Sequence, residues 1–275
     1  MQFSDPLLKG TLVRRYKRFL ADVVLENGEQ ITAHCANSGS MLGLKEPGSE
    51  VWVSPAHNPE RKLKYTWELI RVGGGLVGIN TAHPNKIVQE AIESKRITSL
   101  LGYQSLRKEV KYGKASRIDI LLESPEQPSC YIEVKNVTLR RNHLAEFPDS
   151  ITSRGTKHLG ELTDQVMAGN RAVMFYLVQR EDCRSFAVAG DIDAAYAKAL
   201  ADAMKAGVEV LCYQCKLTPK NIVLDIPIPL NIVLLNRPGT HGIRPRKATS
   251  TVSGRRFITW SPVCSQRENW MALKL

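Results

Sequence analysis

Arg117-Ile118-Asp119-Ile120-Leu121-Leu122-Glu123 and Cys130-Tyr131-Ile132-Glu133-Val134-Lys135-Asn136-Val137 read as two β-strands. The connection between them, Ser124 to Ser129, is short and carries Pro125 and Pro128, so the strands are expected to be antiparallel neighbours. Strand alternation puts Ile118, Ile120 and Leu122 on one face of the first strand and Asp119 on the other with Leu121. On the second strand Ile132 and Val134 share a face, and Tyr131, Glu133 and Lys135 share the opposite one. One register places Asp119 beside Glu133, with Lys135 one pleat further along.

Two carboxylates at one spot repel each other unless a cation lies between them. Hard oxygen ligands favour Mg²⁺ or Mn²⁺. A lysine beside that cation can hold a phosphate oxygen or help orient an attacking water. Asp119, Glu133 and Lys135 are therefore expected to form a site for metal-assisted phosphodiester cleavage. The alternative is a structural ion cluster, since such networks also perturb carboxylates.

Working outward, Asn85 to Ile97 predicts a helix with Ile87, Val88, Ala91 and Ile92 as its apolar stripe. Glu90 on that helix is the candidate third acid and metal ligand, or else part of a solvent face. Leu106 to Tyr112 predicts another strand, on which Glu109 and Lys111 share a face and either could border the site, with a structural role as the alternative for Glu109. A helix is expected from Ser153 to Met167, stopped by Gly169. Its Arg154, Lys157 and His158 fall at i, i+3 and i+4 and make one basic face, for phosphate contact or as plain surface charge. Arg171 to Val178 is a continuous apolar run, read as a buried strand. Asp191 to Ala206 reads as a helix with Asp191 as N-cap, and Val208 to Cys215 as a final strand. The order is that of a mixed α/β domain.

Residues 1–82 differ in character. Thr11–Val13, Phe19–Val24, Gln30–Cys35, Val51–Val53, Tyr65–Val72 and Leu76–Asn80 are strand-like, with Asn27-Gly28 as a hairpin signal. Gly73-Gly74-Gly75 lacks the Lys-Ser/Thr of a phosphate loop and reads as a hairpin turn. Five or so strands in so short a stretch suggest a small five-stranded OB-like β-barrel. Arg14, Arg15, Lys17 and Arg18 surround Tyr16, and Arg61, Lys62 and Lys64 precede Tyr65 and Trp67. Such clusters can line a nucleic-acid groove with aromatic stacking platforms, although Trp67 fits a core position equally well.

The formal charge of +11 invites a nucleic-acid partner, but its distribution tempers this. Asn231 to Leu275 holds eight Lys/Arg against one Glu, a net +7, which leaves +4 for the rest. That stretch shows no sustained period and is expected to be a basic, poorly ordered tail. No apolar run reaches the roughly 18 residues of a membrane span, and Met1 to Lys9 has no signal-peptide pattern, so the expected location is cytoplasmic. The six cysteines are scattered and expected to be reduced. Cys212 and Cys215 form a CxxC on a predicted strand, where residues three apart face opposite ways and do not share a metal.

Several ordered segments together resemble the sugar fermentation stimulation protein A family. They are Arg14-Arg15-Tyr16-Lys17-Arg18-Phe19-Leu20-Ala21-Asp22, His34-Cys35-Ala36-Asn37-Ser38-Gly39-Ser40-Met41, Glu109-Val110-Lys111-Tyr112-Gly113, Ser116-Arg117-Ile118-Asp119, Tyr131-Ile132-Glu133-Val134-Lys135, Phe147-Pro148-Asp149 and Arg154-Gly155-Thr156-Lys157-His158-Leu159. The resemblance runs from Met1 to about Leu230. It implies an OB-like domain over residues 1–82, a PD-(D/E)XK nuclease-like α/β domain over 83–230, and a tail over 231–275 that departs from the family pattern. It also implies DNA binding, with the strandedness of the DNA and the oligomeric state left open, and a regulatory role in maltose and related sugar metabolism. Asp119, Glu133 and Lys135 match the Asp…Glu-x-Lys motif of that nuclease superfamily, and Glu90 matches the acid of the preceding helix. The expected function is thus DNA binding on a nuclease-like scaffold, with Mg²⁺-dependent cleavage as the alternative.

Overall fold

A computed structural model describes residues 1–113 and 116–231. The chain opens with six strands: β1 (Leu8–Tyr16), β2 (Leu20–Leu25), β3 (Gln30–Cys35), β4 (Glu50–Pro55), β5 (Tyr65–Val72) and β6 (Gly75–Gly78). They follow the order β3-β2-β1-β4-β5-β6, and a parallel pairing of β3 with β5 closes the first five into a barrel. Local chemistry sets two of its turns. Gly28 has φ +86° between β2 and β3, and Gly73 and Gly74 have φ +60° and +84° between β5 and β6. Both hairpins need left-handed backbone there, which Asn-Gly and Gly-Gly supply cheaply. Leu12, Val23, Ala33, Cys35, Val53, Trp67 and Ile70 fill the barrel. Trp67 is fully buried and its indole N–H donates to the Leu69 carbonyl at 2.9 Å, so it is core and no stacking platform.

The second half begins with α1 (Pro84–Glu93), which buries Ile87, Val88 and Ala91. Pro84 occupies the first turn, where a missing N–H costs nothing. The helix stops short of the expected Ile97, because Lys95 takes a left-handed φ of +59° and Ile97 already leads into a 3₁₀ turn at Thr98–Leu100. Next come β7 (Ser105–Tyr112), β8 (Ser116–Ser124) and β9 (Gln127–Val137), then β10 (Leu139–Arg141), β11 (Leu144–Phe147) and α2 (Ser153–Met167). They are followed by β12 (Arg171–Val178), β13 (Ser185–Val188), α3 (Ala194–Ala206), β14 (Glu209–Leu217) and β15 (Ile222–Pro227). The main sheet has the order β15-β14-β12-β9-β8-β7. Strands β9, β12 and β14 run parallel, while β7, β8 and β15 are antiparallel to their neighbours.

Both faces of this sheet are covered. Along β12, Val173, Phe175 and Leu177 join the core under α1, and Met174, Tyr176 and Val178 join the core under α2 and α3. Two-sided burial is why that strand reads as one uninterrupted apolar run. Trp52 and Leu69 from the barrel also enter the core under α1, so the barrel packs directly on the sheet domain. Cys212 lies in one core and Cys215 in the other, as alternation requires.

Two sequence expectations need correction. Ile118 does not share a core with Ile120 and Leu122; it lies with Leu121 under α2. The strand loses its regularity at Asp119. The β8–β9 ladder stops at Ile120–Ile132, and Glu109, between the Lys108–Ile120 and Val110–Ile118 pairs, takes φ +52°. The N-cap of α3 is Asp193, not Asp191: Asp193 accepts from the Tyr196 amide at 2.9 Å and from the Thr152 amide at 2.8 Å. Asp191 instead pairs with Arg141. The short β10, β11 and β13, which form a small sheet of their own, and β15 are additions to the expected order. Nearly all of the expected tail, residues 232–275, lies outside the described residues.

Candidate active site

Asp119 sits where β8 leaves its ladder with β9. Its Oδ2 accepts from the Val134 amide at 2.7 Å, and its Oδ1 accepts from the Asn85 side-chain amide at 2.8 Å. Burial, reinforced by the negative charge of Glu133, pushes its pKa up to about 6 despite these two donors. Glu133 is 2 % exposed. Its Oε1 takes Lys135 Nζ at 2.6 Å and a short contact from His158 Nδ1 on α2. Burial works to raise the Glu133 pKa, but the His158 hydrogen bond and the Lys135 charge outweigh it and hold the carboxyl below its ordinary range. Glu133 Oε2 is buried and has no hydrogen-bond partner among the described residues.

His158 is ordered in turn by Arg154, whose Nε lies 3.3 Å from His158 Nε2. A guanidinium nitrogen only donates, so Nε2 accepts and Nδ1 carries the proton given to Glu133. Lys135 Nζ and His158 Nδ1, 3.4 Å apart, are then two donors converging on one carboxylate oxygen.

Asp119, Glu133, Lys135 and Arg154 line a cleft of about 400 Å³ to which both the barrel and the sheet contribute, while His158 stays buried behind Glu133. Asn85 from the first turn of α1 lines it as well. The barrel supplies a further wall through Asn37, Ser38 and Gly39. Three of the expected site residues, Asp119, Glu133 and Lys135, thus share one cavity. Glu90 does not join them: its Oε2 pairs with the amino nitrogen of Met1 at 2.5 Å, and Asn85 is what α1 presents to Asp119. Glu109 is exposed and does not line the cleft.

The basic face expected on α2 splits apart. Arg154 lines the cleft, Lys157 lies 3.5 Å from Glu161, and His158 is buried against Glu133, because this face of the helix packs onto the sheet. In the barrel, Arg14 pairs with Asp22 at 2.8 Å and covers the Tyr16 ring, while Lys17 and Arg18 form the left-handed turn after β1. Arg15 donates to the carbonyls of Asn37 and Gly39 at 2.9 and 3.1 Å, and Arg18 donates to that of Ser38 at 2.8 Å. Lys62 and Lys64 are exposed and Arg61 partly so, and Lys64 caps the Pro59 carbonyl at 2.6 Å. None of these seven basic residues lines the cleft; Arg15 and Arg18 act on it through the loop they hold.

The donor set suits a hard divalent cation. It has two adjoining carboxylates, one with an orphaned buried oxygen and the other with a pKa raised by burial and by its neighbour's charge. Among the described residues no group of three or more His, Cys, Asp or Glu is arranged to hold a metal ion; His158 reaches Glu133 only as a hydrogen-bond donor. A cation that keeps several of its waters, as Mg²⁺ does, needs only one or two carboxylates. Among the described residues, no helix is long and apolar enough to cross a membrane.

A closed five-stranded OB barrel joined to an α/β domain, with Asp…Glu-x-Lys in the cleft between them, defines the class of protein. Residues 13–79 match the family described as the SfsA N-terminal OB domain, and residues 82–221 match the sugar fermentation stimulation protein RE domain. The chain belongs to the sugar fermentation stimulation protein (SfsA) family. A sugar fermentation stimulation protein homolog of Paramagnetospirillum magneticum is 59% identical over 232 residues, covering 84% of this chain and 98% of its own. Another from Nitrosococcus oceani is 52% identical over 235 residues, covering 84% of this chain and all of the homolog. The solved structure of Pyrococcus furiosus SfsA in complex with Ca²⁺ superposes with a TM-score of 0.76 at 25% identity, covering 84% of this chain and 98% of that one.

Proposed function

We propose that this protein binds DNA and hydrolyses its phosphodiester backbone with Mg²⁺ or Mn²⁺ held by Asp119 and Glu133. The observation that carries the reading is the convergence of Asp119, Glu133 and Lys135 in one cleft, with Glu133 Oε2 unpartnered. The solved Pyrococcus furiosus SfsA is a complex with Ca²⁺, a cation that takes oxygen ligands, which supports a divalent cation for this chain. When bound, the metal supplies Lewis-acid activation of water and neutralises charge developing on the phosphate. Asn85 and the Val134 amide fix the Asp119 carboxylate, and Arg154 fixes the His158 tautomer that donates to Glu133. His158 and Lys135 together keep Glu133 ionised and direct its second oxygen elsewhere. Lys135 can exchange its hold on Glu133 for a phosphate oxygen or for the attacking water. Arg154 adds a guanidinium for phosphate at the rim.

The test compares wild type with Asp119→Asn and Lys135→Met on single-stranded, linear duplex and supercoiled DNA with Mg²⁺ or Mn²⁺. Loss of cleavage by about 10²-fold or more in both variants is expected, with DNA binding kept. Equal cleavage by wild type and Asp119→Asn removes the assignment.

A second reading is DNA binding without cleavage, in the regulation of sugar fermentation that the relatives' name describes. It is favoured by the engagement of Lys135 and His158 with the same Glu133 oxygen, which holds the lysine in an ion pair rather than free for a phosphate. Salt-dependent DNA binding by a wild type that cleaves none of these substrates would select it.

A further inference from the structure

The cleft is bounded by two domains, and one contact spans it. The barrel loop over residues 37–41 reaches Asp149, in the segment leading into α2. Ser40 Oγ donates to the Asp149 carbonyl at 2.8 Å, and the Met41 amide donates to Asp149 Oδ2 at 3.2 Å. Gly39 lies so close that a Cβ there would meet Asp149 Oδ2 at 2.6 Å. A side chain at residue 39 would have to push the Asp149 carboxylate aside.

The loop is equally fixed from its own side. Arg15 and Arg18 bind the carbonyls of residues 37, 38 and 39. Asn37, 5 % exposed, donates to the Ile79 carbonyl at 3.0 Å and accepts from the Gly39 amide at 2.8 Å. The loop is thus held by hydrogen bonds both from the barrel and from Asp149. The space it leaves, about 400 Å³, is at the low end of cavities that take one small organic molecule.

We infer that the cleft admits a single DNA strand and turns away intact duplex, with the Gly39–Asp149 contact as the element that sets this selectivity. The inference rests on DNA being the ligand. Proteins that read duplex insert a convex element into a groove about 12 Å wide. Here the geometry is reversed, because the carboxylates line a concave site, with Glu133 nearly fully buried, and the nucleic acid must enter it. A lone strand can present one phosphodiester to Asp119 and Glu133 with its neighbours outside. A paired strand brings its complement against the barrel wall on one side or the α2 entry on the other. Grooves that follow one backbone are the usual route for single-strand binding.

The experiment measures fluorescence anisotropy of one labelled oligonucleotide, alone and annealed to its complement, with Ca²⁺ present and at one fixed salt concentration. The full chain is used as wild type, Asp149→Ala and Gly39→Ala. Wild type is expected to bind the single strand about tenfold more tightly than the duplex. Each variant is expected to narrow that ratio to about threefold or less, chiefly by gaining duplex affinity. Ser40→Ala, which removes only hydroxyl contacts to Asp149, replaces either variant that fails to fold. Equal wild-type binding to both forms overturns this inference alone. An unchanged ratio in the folded variants removes the role of the Gly39–Asp149 contact. Binding to neither form overturns the DNA reading as well.

Discussion

Asn85 donates its side-chain amide to Asp119 at 2.8 Å, tying the first turn of α1 to the irregular point of β8. This bond joins the barrel-side helix to the carboxylate on which the proposed chemistry depends. Asn85→Ala removes a hydrogen bond to a mostly buried acid and should cost about 1.5–3 kcal/mol in urea unfolding. It should also weaken Mn²⁺ binding measured by calorimetry, since Asp119 loses a donor that favours its ionised form. Asn85→Asp should do the opposite for the metal, because a third carboxylate adds charge to the site. Tighter Mn²⁺ binding with lower metal-free stability is the expected pair of results.

The raised pKa of Asp119, about 6, gives metal-free stability a defined pH dependence. The folded value lies above the unfolded one of about 3.9, so this contribution is fully present below pH ~4 and lost as pH rises through ~6. It is on the order of 2–3 kcal/mol. Glu133 has the opposite sign, since its depressed folded pKa stabilises above the unfolded value of about 4.3 and is lost on acidification. Unfolding in EDTA across about pH 4 to 7 should show the Asp119 loss in wild type and not in Asp119→Asn. A parallel pH profile in the two proteins would contradict the assignment.

Trp67 offers a clean separation of core from binding surface. It is fully buried in the barrel and its indole is satisfied internally. Trp67→Ala should destabilise by about 3–5 kcal/mol. The milder Trp67→Phe should leave DNA affinity per folded molecule within about twofold. A large affinity loss in folded Trp67→Phe would return this ring to the binding surface.

Basic residues of the barrel fall into two kinds that salt can tell apart. Lys62 is exposed and makes no hydrogen bond or ion pair among the described residues, whereas Arg15 is committed to the carbonyls of Asn37 and Gly39. If Lys62 meets a phosphate, Lys62→Ala lowers the slope of log K against log salt by about 1. Arg15→Ala should instead cost about 1–3 kcal/mol of stability with little change of slope. The reverse pattern would move the nucleic-acid path onto Arg15.

How much of this was readable in advance depends on how local each determinant is. The bounds of α2, β5 and β12 follow from period, caps and flanking turns within their own segments. The adjacency of Asp119 and Glu133 follows from alternation and a short connection. The strands β10, β11 and β13 have three or four residues, too few to carry a period, and β11 pairs with β13 about forty residues away. Glu90 was misplaced because sequence does not fix a helix's rotation about its axis. It lies five residues beyond Asn85, roughly 140° around the helix, so the two cannot face the same strand. His158 read as surface because i, i+4 spacing with Arg154 shows a shared face without showing that the sheet covers it. For the segments 37–41 and 147–149 the family resemblance carried no role; their contact with each other supplies one.

The burial of thiols in all three cores has a practical side. Cys35 lies inside the barrel, Cys130 and Cys215 under α1, and Cys183 and Cys212 under α2 and α3. Each core therefore carries its own built-in reporter. Alkylation followed cysteine by cysteine would time the opening of each core separately and show whether the barrel and the sheet domain unfold as one cooperative unit or in sequence.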